Sequence, residues 1–127
     1  MRQKSLGNLG ENLALKHLKS KGYRILTRNF SSKFGEIDII ALDPSTSSGQ
    51  SDSTLVFIEV KTRFSQAFGP PEEAITSWKI KKIIKAGQYF QLLHPNLPAS
   101  LRLDAVVIDL TSEGKLERVE ILKNITG

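Results

Sequence analysis

Residues 55–62, Leu-Val-Phe-Ile-Glu-Val-Lys-Thr, constrain this chain more than any other segment. Apolar β-formers follow one another there without alternation, which predicts a central strand buried on both faces. A strand covered on both sides needs packed elements above and below it, so a layered α/β architecture follows. Two charged residues, Glu59 and Lys61, interrupt that run. They lie two positions apart and so project from the same face, about 6–7 Å from each other along the strand.

The flanking segments supply the layers. Leu6, Leu9, Leu13, Ala14 and Leu18 recur at helical spacing, and Lys19, Lys21 and Gly22 form a stop signal, so residues 5–21 predict an amphipathic helix. Residues 23–30 and 36–42 read as strands joined through the turn at Ser31-Ser32-Lys33-Phe34-Gly35, a hairpin. Residues 78–93 form a second helix with Ile80, Ile83, Ile84, Gly87 and Gln91 on one side. Strands at 101–110 and 116–122 flank a turn-rich connection, a second hairpin. Pro70, Pro71, Glu72 and Glu73 predict a short helical turn near 72–75. The expected order is αβββαββ, a mixed five-stranded sheet flanked by two main helices. Residues 43–54 (DPSTSSGQSDST) predict a solvated, mobile loop within one domain spanning 1–127, a length ordinary for a single domain.

Asp38 is anomalous because Ile37, Ile39 and Ile40 around it mark a buried strand. An ionised carboxylate there costs several kcal/mol unless it is paired, hydrogen-bonded or holding a cation. If its strand neighbours residues 55–62, Asp38 converges with Glu59. Two adjacent carboxylates repel unless a cation neutralises them, and Mg²⁺ prefers such oxygen ligands while keeping several waters. A water activated there, near Lys61, is a suitable nucleophile for a phosphodiester. The competing reading is a Glu–Lys structural ion pair, with Asp38 capping a bulge. Glu11 is a fourth candidate, because Gly7 and Gly10 beside it predict close approach of the first helix to the sheet; the competing reading is an ordinary surface glutamate.

The chain carries 18 Lys+Arg against 13 Asp+Glu, a net charge of +5, which favours a polyanionic partner. Trp78, Lys79, Lys82, Lys85 and Tyr89 recur at helical spacing away from the isoleucines, a pattern suited to stacking on bases and meeting phosphates. Arg28, Lys33 and Arg63 lie near the ends of the site strands, positioned to grip a backbone. A solvated lysine face, with Trp78 packed over the core, is the competing reading. His17 and His94 share no spacing with a ligand motif. Phosphate contacts give affinity without sequence reading. No segment approaches the ~18 apolar residues of a membrane span, and no apolar run follows the basic N-terminus, so neither a membrane nor a secretory route is expected. The chain has 0 cysteines, which fits the reducing cytoplasm.

Gly7-x-x-Gly10-Glu11-x-x-Ala14, Gly35-Glu36-Ile37-Asp38-Ile39-Ile40-Ala41, Phe57-Ile58-Glu59-Val60-Lys61-Thr62-Arg63 and Arg102-Leu103-Asp104-Ala105-Val106 together resemble the YraN family of small bacterial proteins. That family is similar to archaeal Holliday-junction resolvases and the wider PD-(D/E)xK nuclease superfamily. The resemblance implies a restriction-endonuclease-like fold and a Mg²⁺- or Mn²⁺-dependent nuclease acting on nucleic acid, DNA first, in recombination or repair. It implies that Asp38, Glu59 and the backbone carbonyl of Val60 are metal ligands, that Lys61 is the catalytic lysine, and that Glu11 assists them. Ile37 stands where the superfamily motif has its proline. Resolvase-like relatives act as dimers, so a homodimer is a further expectation, with Phe64, Phe68 and Trp78 as candidate contacts. Two alternatives remain open: a noncatalytic nucleic-acid-binding module and a protein–protein adaptor.

Overall fold

A computed structural model describes residues 3–44, 53–64 and 75–126, with side-chain surroundings from residue 8 onward. The elements are α1 (Gln3–Ser20), β1 (Arg24–Ser32), β2 (Gly35–Asp43), β3 (Thr54–Phe64), α2 (Ser77–Leu93), β4 (Leu101–Leu110) and β5 (Leu116–Leu122). The αβββαββ order is therefore as expected. Of the expected loop at 43–54, Asp43 instead closes β2, fully buried, and Thr54 opens β3, while residues 45–52, the helical turn at 72–74 and Phe68 lie outside the described residues. Within the described residues, no helix is long and apolar enough to cross a membrane.

The five strands form one mixed sheet in the order β1-β2-β3-β4-β5. β3 and β4 are parallel, and every other pair is antiparallel. A parallel pair needs a crossover, and α2 lies between β3 and β4 in the chain. The first hairpin closes with Ser32 opposite Gly35, whose φ of +144° suits a residue without a Cβ. The second turns at Gly114, with φ +84°, where the Thr111 N–H donates to the Lys115 carbonyl and the Lys115 N–H to the Thr111 hydroxyl.

Each sheet face carries its own core. On the α1 side, Ala14 and Leu18 pack with Ile39, Ala41, Val56, Ile58, Val106 and Ile108. On the α2 side, Ile83, Ala86 and Phe90 pack with Ile37, Ile40, Leu55, Phe57 and Leu103. Successive β3 residues alternate between these clusters, which accounts for the unbroken apolar run. The buried stripe of α2 runs through Ile83, Ala86, Gly87 and Phe90. Gln91, placed on that face by the periodicity, instead donates to the Ala99 carbonyl at 3.0 Å. Two glycines permit close helix–sheet approach. A Cβ on Gly10 would collide with the Thr62 hydroxyl, and one on Gly87 would sit 3.0 Å from the Phe57 ring.

One discontinuity in the sheet positions the site. Pairing of β2 with β3 runs from Asp43 opposite Thr54 to Ile39 opposite Ile58, and there it stops. β2 continues paired with β1 as far as Gly35, and β3 continues paired with β4 as far as Phe64. The two central strands therefore diverge at Asp38. The side-chain alternation of β2 breaks at the same place, since Ile37 and Ile40 both join the α2-side cluster.

Candidate metal and nucleic-acid cleft

Divergence of β2 and β3 removes a backbone partner from the Val60 N–H, and Asp38 supplies the replacement. Its Oδ2 accepts from Val60 N at 2.8 Å. The Asp38 carboxylate is thus a side-chain substitute for a ladder bond, which accounts for its place inside an apolar strand. Glu59, the residue before Val60, is only 4% exposed. Its Oε2 lies 2.7 Å from the Nζ of Lys79, on the first turn of α2. Thr76 sets that turn, its hydroxyl accepting from the Lys79 N–H at 3.2 Å.

The electrostatics follow from this packing. Burial, and next the Glu59 charge, push the Asp38 carboxyl up to about 6, against the opposing pull of the Val60 N–H and Lys79. The hydrogen bond to Glu59 raises the Lys79 ammonium above its ordinary value, with the Glu59 and Asp38 charges adding to it despite partial burial. Asp38 beside the Glu59 charge, with one ammonium between the cleft and α2, makes a site rich in carboxylate oxygens. A hard divalent cation fits that donor chemistry, and Mg²⁺ needs only one or two carboxylates when waters complete its shell. Among the described residues no group of three or more His, Asp or Glu side chains is positioned around an ion.

The carboxylates open into a cleft of about 530 Å³, also lined by Lys33, Phe34, Glu36, Trp78 and Lys82. Lys82 Nζ stands 4.5 Å from the centre of the Trp78 ring, and Lys33 Nζ stands 5.3 Å from that of Phe34. Trp78 is 67% exposed, so it is not a cover over the core.

Of the other expected site residues, Val60 stays beside Asp38 and the rest fall elsewhere. Lys61 is half-buried on β3 and does not line this cleft; the ammonium against Glu59 belongs to Lys79. Val60, expected to offer its carbonyl, is tied to Asp38 through its N–H. Glu11 turns toward β1. Arg28 donates to its Oε1 at 3.3 Å and to Asn12 Oδ1 at 3.2 Å, and Asn29, with its amide oriented to donate, reaches both Glu11 oxygens. Arg63 is buried against Asp109, with Nε 2.6 Å from Oδ1, and Arg118 approaches the other oxygen of that carboxylate at 3.2 Å. Lys85 is exposed farther along α2.

Sequence reasoning missed a second polar cluster, on the α1 face. Arg102 donates to Asp104 and to Asp43, each at 2.7 Å, and both carboxylates are fully buried. Tyr23 donates to Asp104 Oδ2 at 3.1 Å, and the Asn124 N–H donates to Asp104 Oδ1 at 3.0 Å. Burial, then the Asp104 and Asp43 charges, push the Tyr23 hydroxyl well above its ordinary range. The cluster ties together the chain entering β1, the end of β2, the start of β4 and the chain leaving β5. Its signal was present in the sequence: Arg102 and Asp104 stand two apart in an apolar strand, the same pattern that singled out Glu59 and Lys61.

Comparison with known proteins covers both clusters. The sequence profile of the uncharacterised protein family UPF0102 matches residues 10–108, a span that contains Asp38, Glu59, Lys61 and Arg102. A UPF0102 protein from Geobacter metallireducens is 41% identical over 124 residues, 98% of this chain and 93% of the relative. One from Caldicellulosiruptor saccharolyticus is 38% identical over 124 residues, 98% of each chain. One from Persephonella marina is 42% identical over 102 residues, 80% of this chain and 81% of the relative. The YraN-like resemblance read from the motifs leads to the same place: the chain belongs to family UPF0102.

Proposed function

We propose that the cleft is a divalent-cation-dependent phosphodiesterase site for nucleic acid, DNA first, selective for backbone structure rather than base sequence. The observation that carries this reading is the meeting of Asp38 and Glu59 where β2 leaves β3, beside the Lys79 ammonium. In this reading Asp38 and Glu59 hold Mg²⁺ or Mn²⁺. Such an ion supplies Lewis-acid polarisation of the phosphate and a lower pKa for the attacking water. The Val60 N–H fixes Asp38 so that the carboxylate does not swing out of the gap. Lys79, 2.7 Å from Glu59, is the ammonium placed to meet negative charge developing on the phosphate. Lys61, the lysine expected from the motif, shares the strand face of Glu59 and is the alternative for that role. Lys33 and Lys82 on the rim meet flanking phosphates, a contact that carries no sequence information.

A second reading is favoured by one observation. The Glu59–Lys79 pair already neutralises one carboxylate, which suits a nucleic-acid-binding cleft that does not cut. Cleavage of end-labelled single-stranded, duplex, flap and four-way-junction DNA with Mg²⁺ or Mn²⁺ decides between them. Products from the wild type that fall at least about a hundredfold in Asp38→Asn and Glu59→Gln support the nuclease. Lys79→Ala and Lys61→Ala, run alongside, identify the working ammonium. Folded protein that binds DNA and yields no product on any substrate rejects the nuclease in favour of the binding module.

A further inference from the structure

We infer that Trp78 is a stacking platform for an unpaired nucleobase, so that the substrate class of the cleft is nucleic acid with at least one splayed or single-stranded nucleotide. The inference rests on the reading of the cleft as a nucleic-acid site. Trp78 is the one tryptophan of the chain, and it is 67% exposed at the cleft margin. An indole left in water at the N-terminal end of a helix contributes little to the core, whose fully packed members on α2 begin at Ile83 with Ile80 partly buried against them. Lysines flank it at this margin. Lys82 stands 4.5 Å from its ring centre, Lys79 follows it in the chain, and Lys33 lines the same cleft. The acidic residues of the lining are Glu36, Asp38 and Glu59, and Lys79 is paired with Glu59.

An aromatic face beside ammonium groups suits a nucleotide: the ring meets a base and the lysines meet phosphates on either side of it. The base must be unpaired, because in an intact duplex both of its faces are already stacked. The carboxylates and Trp78 line one cleft, so a base resting on the indole brings its own backbone toward Asp38 and Glu59. No sequence preference is expected, since every base has a π-face.

The test uses full-length protein in EDTA, so that no cleavage is involved. Indole emission is read together with the anisotropy of dye-labelled oligonucleotides. Three ligands of equal phosphate number are compared: single-stranded oligo(dT), an abasic single strand, and a dumbbell duplex closed at both ends by base-free glycol linkers. Oligo(dT) is expected to quench the indole on binding, and the abasic strand and the dumbbell to bind without quenching. Trp78→Ala is expected to weaken oligo(dT) roughly five- to a hundredfold and to leave the abasic strand unchanged, while Trp78→Phe recovers part of the loss. Binding of oligo(dT) with unchanged emission, or equal losses for oligo(dT) and the abasic strand in Trp78→Ala, would overturn the stacking role and leave the phosphate-binding cleft standing. Anisotropy that stays flat for all three ligands would overturn the nucleic-acid reading and the platform together, and would leave the exposed indole to a protein contact.

Discussion

Replacing Asp38 with asparagine is expected to stabilise the metal-free protein. The Asp38 carboxyl is raised from 3.8 to about 6, mainly by burial and by the neighbouring Glu59 charge. The native state thus holds this proton more tightly than the unfolded chain does. The resulting stability is fully present below about 3.8 and is lost as pH rises through about 6. At roughly 1.4 kcal/mol per unit, the ionised Asp38 costs the native state about 3 kcal/mol at pH 8. The substituted side chain carries no charge, yet its amide oxygen accepts from the Val60 N–H and its NH₂ donates to Glu59. Asp38→Asn should therefore gain about 2–3 kcal/mol at pH 8, falling to about half of that at pH 5. For a domain of this size the gain at pH 8 is a rise in Tm of roughly 6–15 °C. Urea and thermal unfolding followed by circular dichroism at several pH values between 5 and 8, in EDTA, measure it. A neutral or destabilising effect at pH 8, or a gain that does not shrink as pH falls, would refute the electrostatic account. Asp38→Ala is unsuitable for this comparison, because it also leaves the Val60 N–H without its acceptor. Mg²⁺ or Mn²⁺ at a hundred times Kd should close most of that gap, adding about 2.7 kcal/mol to the wild type and little to Asp38→Asn.

Further substitutions test the packing that holds the site. Gly10→Ala places a methyl group against the Thr62 hydroxyl; a loss of about 1–3 kcal/mol in urea unfolding is expected, reduced when Thr62→Ala is combined with it. Additive losses in the double variant would show that the two residues do not meet. Arg102→Met leaves the fully buried Asp43 and Asp104 without their shared guanidinium, and should cost about 3–5 kcal/mol. Tyr23→Phe, which removes one neutral donor from the same cluster, should cost about 1–2 kcal/mol. If the Arg102 variant lost no more than the Tyr23 variant, the buried ion cluster would not be what fastens the sheet ends.

Much of the architecture is legible along the chain, because periodicity records which face each residue shows. The apolar run before Glu59 announced a doubly covered strand, and turn residues bounded the two hairpins closely enough for β4 and β5 to end where expected. The anomaly of Asp38 was equally visible, since one carboxylate among isoleucines stands out in any register. Local pattern did not reveal what meets what across the sheet. Strand periodicity says that Glu59 and Lys61 share a face, but a long flexible ammonium arriving from α2 can reach the same carboxylate, and Lys79 does. The glycines beside it placed Glu11 close to the sheet, yet its partner depends on where β1 lies, and there Arg28 takes it. Arg63 was read as a surface grip, while the parallel pairing of β3 with β4 sets it opposite Asp109 and buries both.

What the sequence determined by itself was the set of elements, their order, and the presence of charges that an apolar sheet must satisfy. The tertiary structure decided how they are satisfied, because strand pairing and helix placement bring together residues far apart in the chain. Where β2 parts from β3, one N–H loses its ladder partner, one carboxylate replaces it, and a second carboxylate is left beside it. A divergence of two strands is a property of the packed sheet, and no single segment of the chain encodes it.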